Sequence, residues 1–168
     1  MAVNVSPPLT VLHVHTISTP TLAAVLYTYP KHTNLGIGLS TVESFDSALQ
    51  VLHNYNITEL HLGAPRGCTF ANIHLFQNLT ALYLYDSAGL TNEHLLTIAR
   101  NNPHLTSLRI YSAGLVTSEA VIELVKMCQK LKSFRFDNNP GGYTRKQKLF
   151  EDTLKALCPS LVDLDVNM

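Results

Sequence analysis

Eight histidines and three cysteines are spread through the chain, and each is a residue type that can hold a metal ion or, for histidine, move a proton near neutral pH. His13 and His15 stand two apart in "VLHVH", so a strand would aim both at one face, where His61 of "ELHLG" could join them from a neighbouring strand. No cysteine or carboxylate with ligand spacing completes that set, and no metal site is expected. Cys68, Cys128 and Cys158 are odd in number and lack C-x-x-C spacing, which favours reduced, buried thiols over disulfides or nucleophiles. "HLGAPRG" has glycines and an arginine without the lysine-serine/threonine ending of a phosphate loop, so it reads as a turn, as does "NNPGG". There is no serine elbow or recognisable pair of catalytic carboxylates; Asp163 and Asp165 fall in what reads as a terminal strand. Neither an enzyme nor a cofactor is expected.

With 168 residues, 46% of them apolar, the chain suits one domain with a continuous core. The 12 basic and 12 acidic side chains cancel, so no global field draws the protein to nucleic acid or to a membrane. No segment approaches the roughly 18 apolar residues of a membrane span, and "MAVNVSPPLTVLHVH" lacks the basic start of a signal peptide. With the unpaired cysteines, this points to a soluble, cytoplasmic protein. The sequons at Asn56 and Asn78 follow from a threonine-bearing repeat rather than from glycosylation.

That repeat is the strongest signal. "LTALYLYDSAGLTNEHL" from Leu79 is nearly restated as "LTSLRIYSAGLVTSEAV" from Leu105, and L-x-x-L-x-L units start near positions 9, 32, 57, 79, 105, 131 and 161. Threonine follows the first position in five of them, as Thr10, Thr33, Thr58, Thr80 and Thr106. Each unit alternates like a strand with one buried face, then changes to helical spacing, as in Leu95, Ile98, Ala99 and in Val121, Leu124, Val125. Thr91 and Thr117 are expected helix caps with a glutamate in the first turn, and Pro30, Pro103 and Pro159 stop helices before the next strand. The unit from Ile57 to Asn78 is too short for a long helix, and "GAPRGCTFANIHLF" is expected to hold a turn or 3₁₀ segment.

These residues resemble a leucine-rich repeat protein of the ribonuclease-inhibitor-like, cysteine-containing subclass, over residues 9 to 168. The resemblance implies a single α/β solenoid of about seven repeats, a curved right-handed horseshoe with a parallel sheet on its concave face and helices on its convex face. Cys128 and Cys158 sit where that subclass often carries cysteine, at the end of the helix before the next strand. Residues 137 to 168, with "DNNPGG", a longer helix and "CPSLVDLD", resemble the C-terminal cap of such proteins, with lysines and acids on the helix's outer face. The first strand, in contrast, starts without a polar cap.

If the leucines point inward, the residues between and after them line the concave face. Successive units then align His13, Gly36, His61, Tyr83, Arg109, Arg135 and Asp165 in one row, and His15, Gly38, Gly63, Tyr85, Tyr111, Asp137 and Asn167 in the next. Of these, His61, Tyr83, Tyr85, Arg109, Tyr111, Arg135 and Asp137 are the expected partner-binding residues, because tyrosine and arginine bury large areas while keeping a polar tip. The competing possibility is that these side chains merely suit a strand surface and that Arg135 pairs with Asp137 or Asp165. The expected function is non-enzymatic binding of another protein. The resemblance implies, more narrowly, the substrate-recognition part of an F-box-type ubiquitin ligase receptor, which would require a helical F-box segment preceding these residues. The alternative is a structural or assembly subunit of a larger complex, docking through Val11, His13 and His15 at its uncapped N-terminal edge. Nucleic-acid binding is the weaker reading, since the other concave positions are not basic.

Overall fold

The computed structural model describes residues 11–14, 18–28, 34–38, 42–64, 67–137 and 145–167. The "NNPGG" turn, Pro30 and His15 lie outside them. Seven strands, β1 (Val11–Val14), β2 (Asn34–Gly38), β3 (Glu59–Gly63), β4 (Ala81–Tyr85), β5 (Ser107–Tyr111), β6 (Ser133–Asp137) and β7 (Asp163–Asn167), form one sheet in chain order. Every neighbouring pair is parallel. The crossovers that parallel pairing requires are the helices α1 (Thr19–Thr28), α2 (Val42–Leu52), α3 (Asn92–Asn101), α4 (Ser118–Met127) and α5 (Arg145–Leu157), with a 3₁₀ turn at Ala71–Leu75 between β3 and β4. The protein is therefore α/β with an all-parallel sheet. Each strand begins two residues after the residue that opens its sequence unit.

Period-two alternation decides which face is buried. Leu60, Leu62, Leu82, Leu84, Leu108, Ile110, Phe134 and Phe136 are almost wholly excluded from solvent, and they share one core with Leu95, Ile98 and Ala99 of α3 and Val121, Leu124 and Val125 of α4. The helices thus cover the leucine face of the sheet, and no described element covers the other face. Helix α3 starts where its sequence says it should: the Thr91 hydroxyl accepts from the His94 amide at 3.3 Å, while the Thr91 amide donates to His94 Nδ1 at 3.3 Å. Thr117 caps α4 with its hydroxyl alone, which accepts from the Ala120 amide, and the Glu119 carboxyl is held below its usual range by its own amide and the Thr117 hydroxyl.

Two repeated backbone devices stack the units. The Thr58 carbonyl accepts from the Thr80 amide at 2.7 Å and the Thr80 hydroxyl at 3.0 Å; the Thr80 carbonyl accepts from the Thr106 amide at 2.8 Å and the Thr106 hydroxyl at 3.0 Å. A threonine ladder therefore runs along the strand starts, which is the physical reason the sequence keeps threonine there. At Lys132 the backbone bond persists without a hydroxyl. Replacing Thr80 or Thr106 by valine should lower unfolding free energy by about 1 kcal/mol each, the net worth of one such bond, whereas Lys132→Ala should change it by less than about 0.5 kcal/mol. Urea melts of the three variants check this; equal midpoints would mean the hydroxyls contribute nothing.

The second device sits where each helix ends. Asn102, Cys128 and Cys158 occupy equivalent positions, each with its carbonyl accepting from the amide three residues on, Leu105, Leu131 and Leu161. Asn102 is 2% exposed and bridges units: its Oδ1 accepts from the Leu79 amide at 2.8 Å and its Nδ2 donates to the carbonyls of Phe76 at 2.9 Å and Ile98 at 3.0 Å. The two cysteines point their thiols at backbone carbonyls of the preceding unit. One expectation is corrected at α5. Lys148, Asp152 and Lys155 are exposed, but Glu151 and Gln147 are buried and face β7: Glu151 Oε1 accepts from the Val166 amide at 3.3 Å, and Gln147 Nε2 donates to Asn167 Oδ1. The end strand offers backbone groups that apolar side chains could not satisfy.

Candidate functional site

The open face is assembled by register. His61 lies opposite Tyr83, Tyr83 opposite Arg109, Arg109 opposite Arg135, and Arg135 opposite Asp165. One pleat further along, Gly38, Gly63 and Tyr85 align, as do Tyr111, Asp137 and Asn167. With strands spaced about 4.8 Å apart, the seven expected binding residues form one continuous patch on β3 to β6.

These side chains are not independent projections into solvent. The rings of His61 and Tyr83 stack at 4.1 Å, the Tyr83 hydroxyl lies 3.1 Å from Ser107 Oγ, and the Arg109 guanidinium carbon lies 5.2 Å from the Tyr83 ring centre. Tyr85 and Tyr111 stack at 5.4 Å with their planes 3° apart, and Tyr85 remains 41% exposed. Mutual packing of this kind fixes rotamers before any partner arrives, which lowers the entropic cost of binding.

The acidic groups are distributed unevenly around the patch. Glu59 Oε1 lies 2.9 Å from His61 Nε2. Arg135 reaches Asp163 at 3.4 Å, and Asp163 also accepts from the Ser133 hydroxyl at 2.9 Å. The sequence alternatives for Arg135 were Asp137 and Asp165; Asp163 takes it instead because Ser133, its register partner, anchors that carboxylate beside the arginine, while Asp137 accepts from Asn167 at 3.2 Å and Asp165 is exposed. The Ser133 hydroxyl, with help from Arg135 and Arg109, holds the Asp163 carboxyl below the usual carboxylate range. Its contribution to stability is therefore present above the unfolded-state value and fades as pH falls through the lower folded value.

Glu59, Ser107, Ser133 and Asp163 are site residues that the sequence reading missed. They form a third row, two positions before the first, which the same alternation would have found. At the other end of the sheet, Val11 and His13 lie in β1, whose only described neighbour is β2.

Among the described residues no group of His, Cys, Asp and Glu could hold a metal ion. All three cysteines are free and buried; burial, with Asp46 nearby, pushes the Cys68 thiol up to about 11, and burial beside Cys158 pushes Cys128 up to about 12. Such thiols are not nucleophiles near neutrality. A cleft of about 340 Å³ is lined by His53, Tyr55, His74 and Phe76, none of which belongs to the three rows, and both histidines spend Nδ1 on backbone carbonyls of Gln50 and Ala71. No helix among the described residues is long and apolar enough to cross a membrane. No family model and no curated protein matches the chain.

Proposed function

We propose that the chain is a leucine-rich repeat solenoid that binds another protein on its concave sheet face and performs no catalysis. The observation that carries this reading is the pre-packed cluster of Tyr83, Tyr85, Arg109 and Tyr111 on a sheet face that no described element covers. Large amphipathic side chains held in place by one another are what a binding hot spot requires. An intracellular location accords with three free thiols. The narrower role in substrate recognition by a ubiquitin ligase receptor rests on the resemblance of the repeats alone.

Tyr85→Ala, Arg109→Ala and Tyr111→Ala should each move the melting temperature little and weaken partner binding about thirtyfold, the effect of losing an anchor worth about 2 kcal/mol. Glu123→Ala and Lys126→Ala, which break an exposed pair on α4, should leave binding intact. Quantitative affinity capture from native extract, comparing the parent with the Tyr85/Arg109/Tyr111 triple variant, reads this out. Retention of every captured protein by the triple variant would remove the concave-face reading.

The assembly-subunit reading is favoured by one observation, the single described neighbour of β1. It predicts the opposite order, with capture lost in Val11→Asp and His13→Asp and kept in the triple variant.

A further inference from the structure

One edge of the molecule, where each helix ends and the next strand begins, is basic. The described loops that make this turn, 53–58, 76–80, 102–106, 128–132 and 158–162, contain no acidic residue. Lys130 and Lys132 lie in the fourth of them and Lys155 in the last turn of α5, all three exposed. From 124 to 136 and from 153 to 162 the chain carries no acid at all. The acids that border these stretches are engaged elsewhere: Glu123 by Lys126 at 2.7 Å, Asp152 by Lys148 at 3.2 Å, Asp163 by Arg135 at 3.4 Å, and Glu151 by the Val166 amide. Among the described residues none of the three lysines is within ion-pairing distance of an acid. A helix end attracts cations within its last turn, which accounts for Lys155, but Lys130 and Lys132 lie past the end of α4.

The same corner departs from the threonine ladder. Where Thr80 and Thr106 donate a hydroxyl to the preceding unit, the next two units place Lys132 and Val162. Only the backbone bonds remain there, from the Lys132 amide to the Thr106 carbonyl at 2.8 Å and from the Val162 amide to the Lys132 carbonyl at 2.9 Å. Two stacking bonds are given up for two outward side chains, and Val162 is 80% exposed. The Ser160 hydroxyl, donating to the Leu131 carbonyl at 2.7 Å, pins the valine's loop against that of the two lysines. We propose that this corner is a docking surface for an acidic segment of another protein, with carboxylates on Lys130, Lys132 and Lys155 and an apolar side chain covering Val162. Charge complementarity selects the acids. The surface lies off the concave face, and the proposal does not depend on that face binding anything. Nucleic acid would bring phosphates to the lysines but leave Val162 in water, and none of these residues offers a ring or guanidinium on which a base could stack. A membrane calls for a wider apolar face than one valine or for a larger basic cluster.

Fluorescence anisotropy on the purified 168-residue chain tests this, with a labelled dodecapeptide that repeats two glutamates and a leucine. The peptide should bind, about tenfold more weakly when glutamine replaces its glutamates and about threefold more weakly when serine replaces its leucines. The decisive variant is Lys132→Thr/Val162→Thr, which restores both ladder residues. It should melt no lower than the parent and bind the peptide about tenfold more weakly, as should Lys130→Ala/Lys155→Ala. Lys148→Ala, which removes one charge from an exposed pair on α5, should bind as the parent does. So should the Tyr85/Arg109/Tyr111 triple variant, which separates this surface from the concave face. A peptide that fails to bind, or that binds the Lys132→Thr/Val162→Thr variant as tightly as the parent, would overturn the proposal. Indifference to the loss of leucine would strike the contact with Val162, and loss of binding in the triple variant would move the site to the concave face. Tighter binding of an oligothymidylate of the same length, or of phosphatidylserine vesicles, would replace the protein partner with nucleic acid or a membrane.

Discussion

Leu108→Asp leaves the chain without a cooperative melt. Leu108 is fully buried at the centre of the sheet, opposite Leu82 on one side and Phe134 on the other. An aspartate there loses the leucine's burial, about 2–5 kcal/mol with its cavity, and adds a carboxyl group that finds only apolar neighbours in its row. Kept ionised, the group pays a desolvation cost of many kcal/mol; kept neutral, it must hold its proton far above the usual carboxylate range, at about 1.4 kcal/mol for each pH unit of that displacement. Either sum reaches the whole stability of a domain, about 5–15 kcal/mol. Leu108→Ala, which removes only the packing, should remain folded and melt about 10 °C lower. Far-ultraviolet circular dichroism on both variants gives the result, and an Asp variant that melts with the parent would mean that the inward and outward faces of β5 are exchanged.

Asn102→Ala is the second large effect. It deletes one acceptor and one two-proton donor in a site that is 2% exposed, stranding the Leu79 amide and the Phe76 carbonyl between two units. Each stranded buried group costs about 1–3 kcal/mol, so a loss of about 3–4 kcal/mol is expected. Asn102→Cys should cost about half as much, since Cys128 and Cys158 show that a thiol at this position can still donate to carbonyls of the preceding unit, although it cannot replace the acceptor for the Leu79 amide. Urea unfolding of the two variants measures the difference. A loss below about 1 kcal/mol for alanine would show that water reaches the site.

How much of this was readable from the residues follows from the physics of each feature. Strand positions and the buried face are set by a period of two that side chains cannot evade, so Leu82, Tyr83 and Leu84 could be assigned one by one. The Thr91 and Thr117 caps are local to four residues, and the shortness of the unit after Ile57 left room for little more than the 3₁₀ turn it contains. Arg135–Asp163 was not legible, because a diagonal contact depends on rotamers and on a third residue, Ser133, from a row that the reading skipped. Asn102 was hidden for another reason: the cysteines at the equivalent positions suggested that apolar packing governs the site, whereas its use of backbone groups appears only when consecutive units are stacked. Glu151 looked like one more solvated acid of a charged helix, and only the seating of α5 against β7 turns it inward.

The position of Glu151 governs how the molecule behaves in a crowd of its own copies. The last strand of a parallel sheet is a template on which another chain can continue the sheet, and growth of that kind leads to fibres. In β7 the Val166 amide is already held by the Glu151 carboxylate. An incoming strand would have to displace that carboxylate from the Val166 amide before it could pair there, so polymerisation past this edge starts by breaking an existing bond. Each molecule thus carries its own chain terminator, built from a single side chain of the helix that precedes the edge.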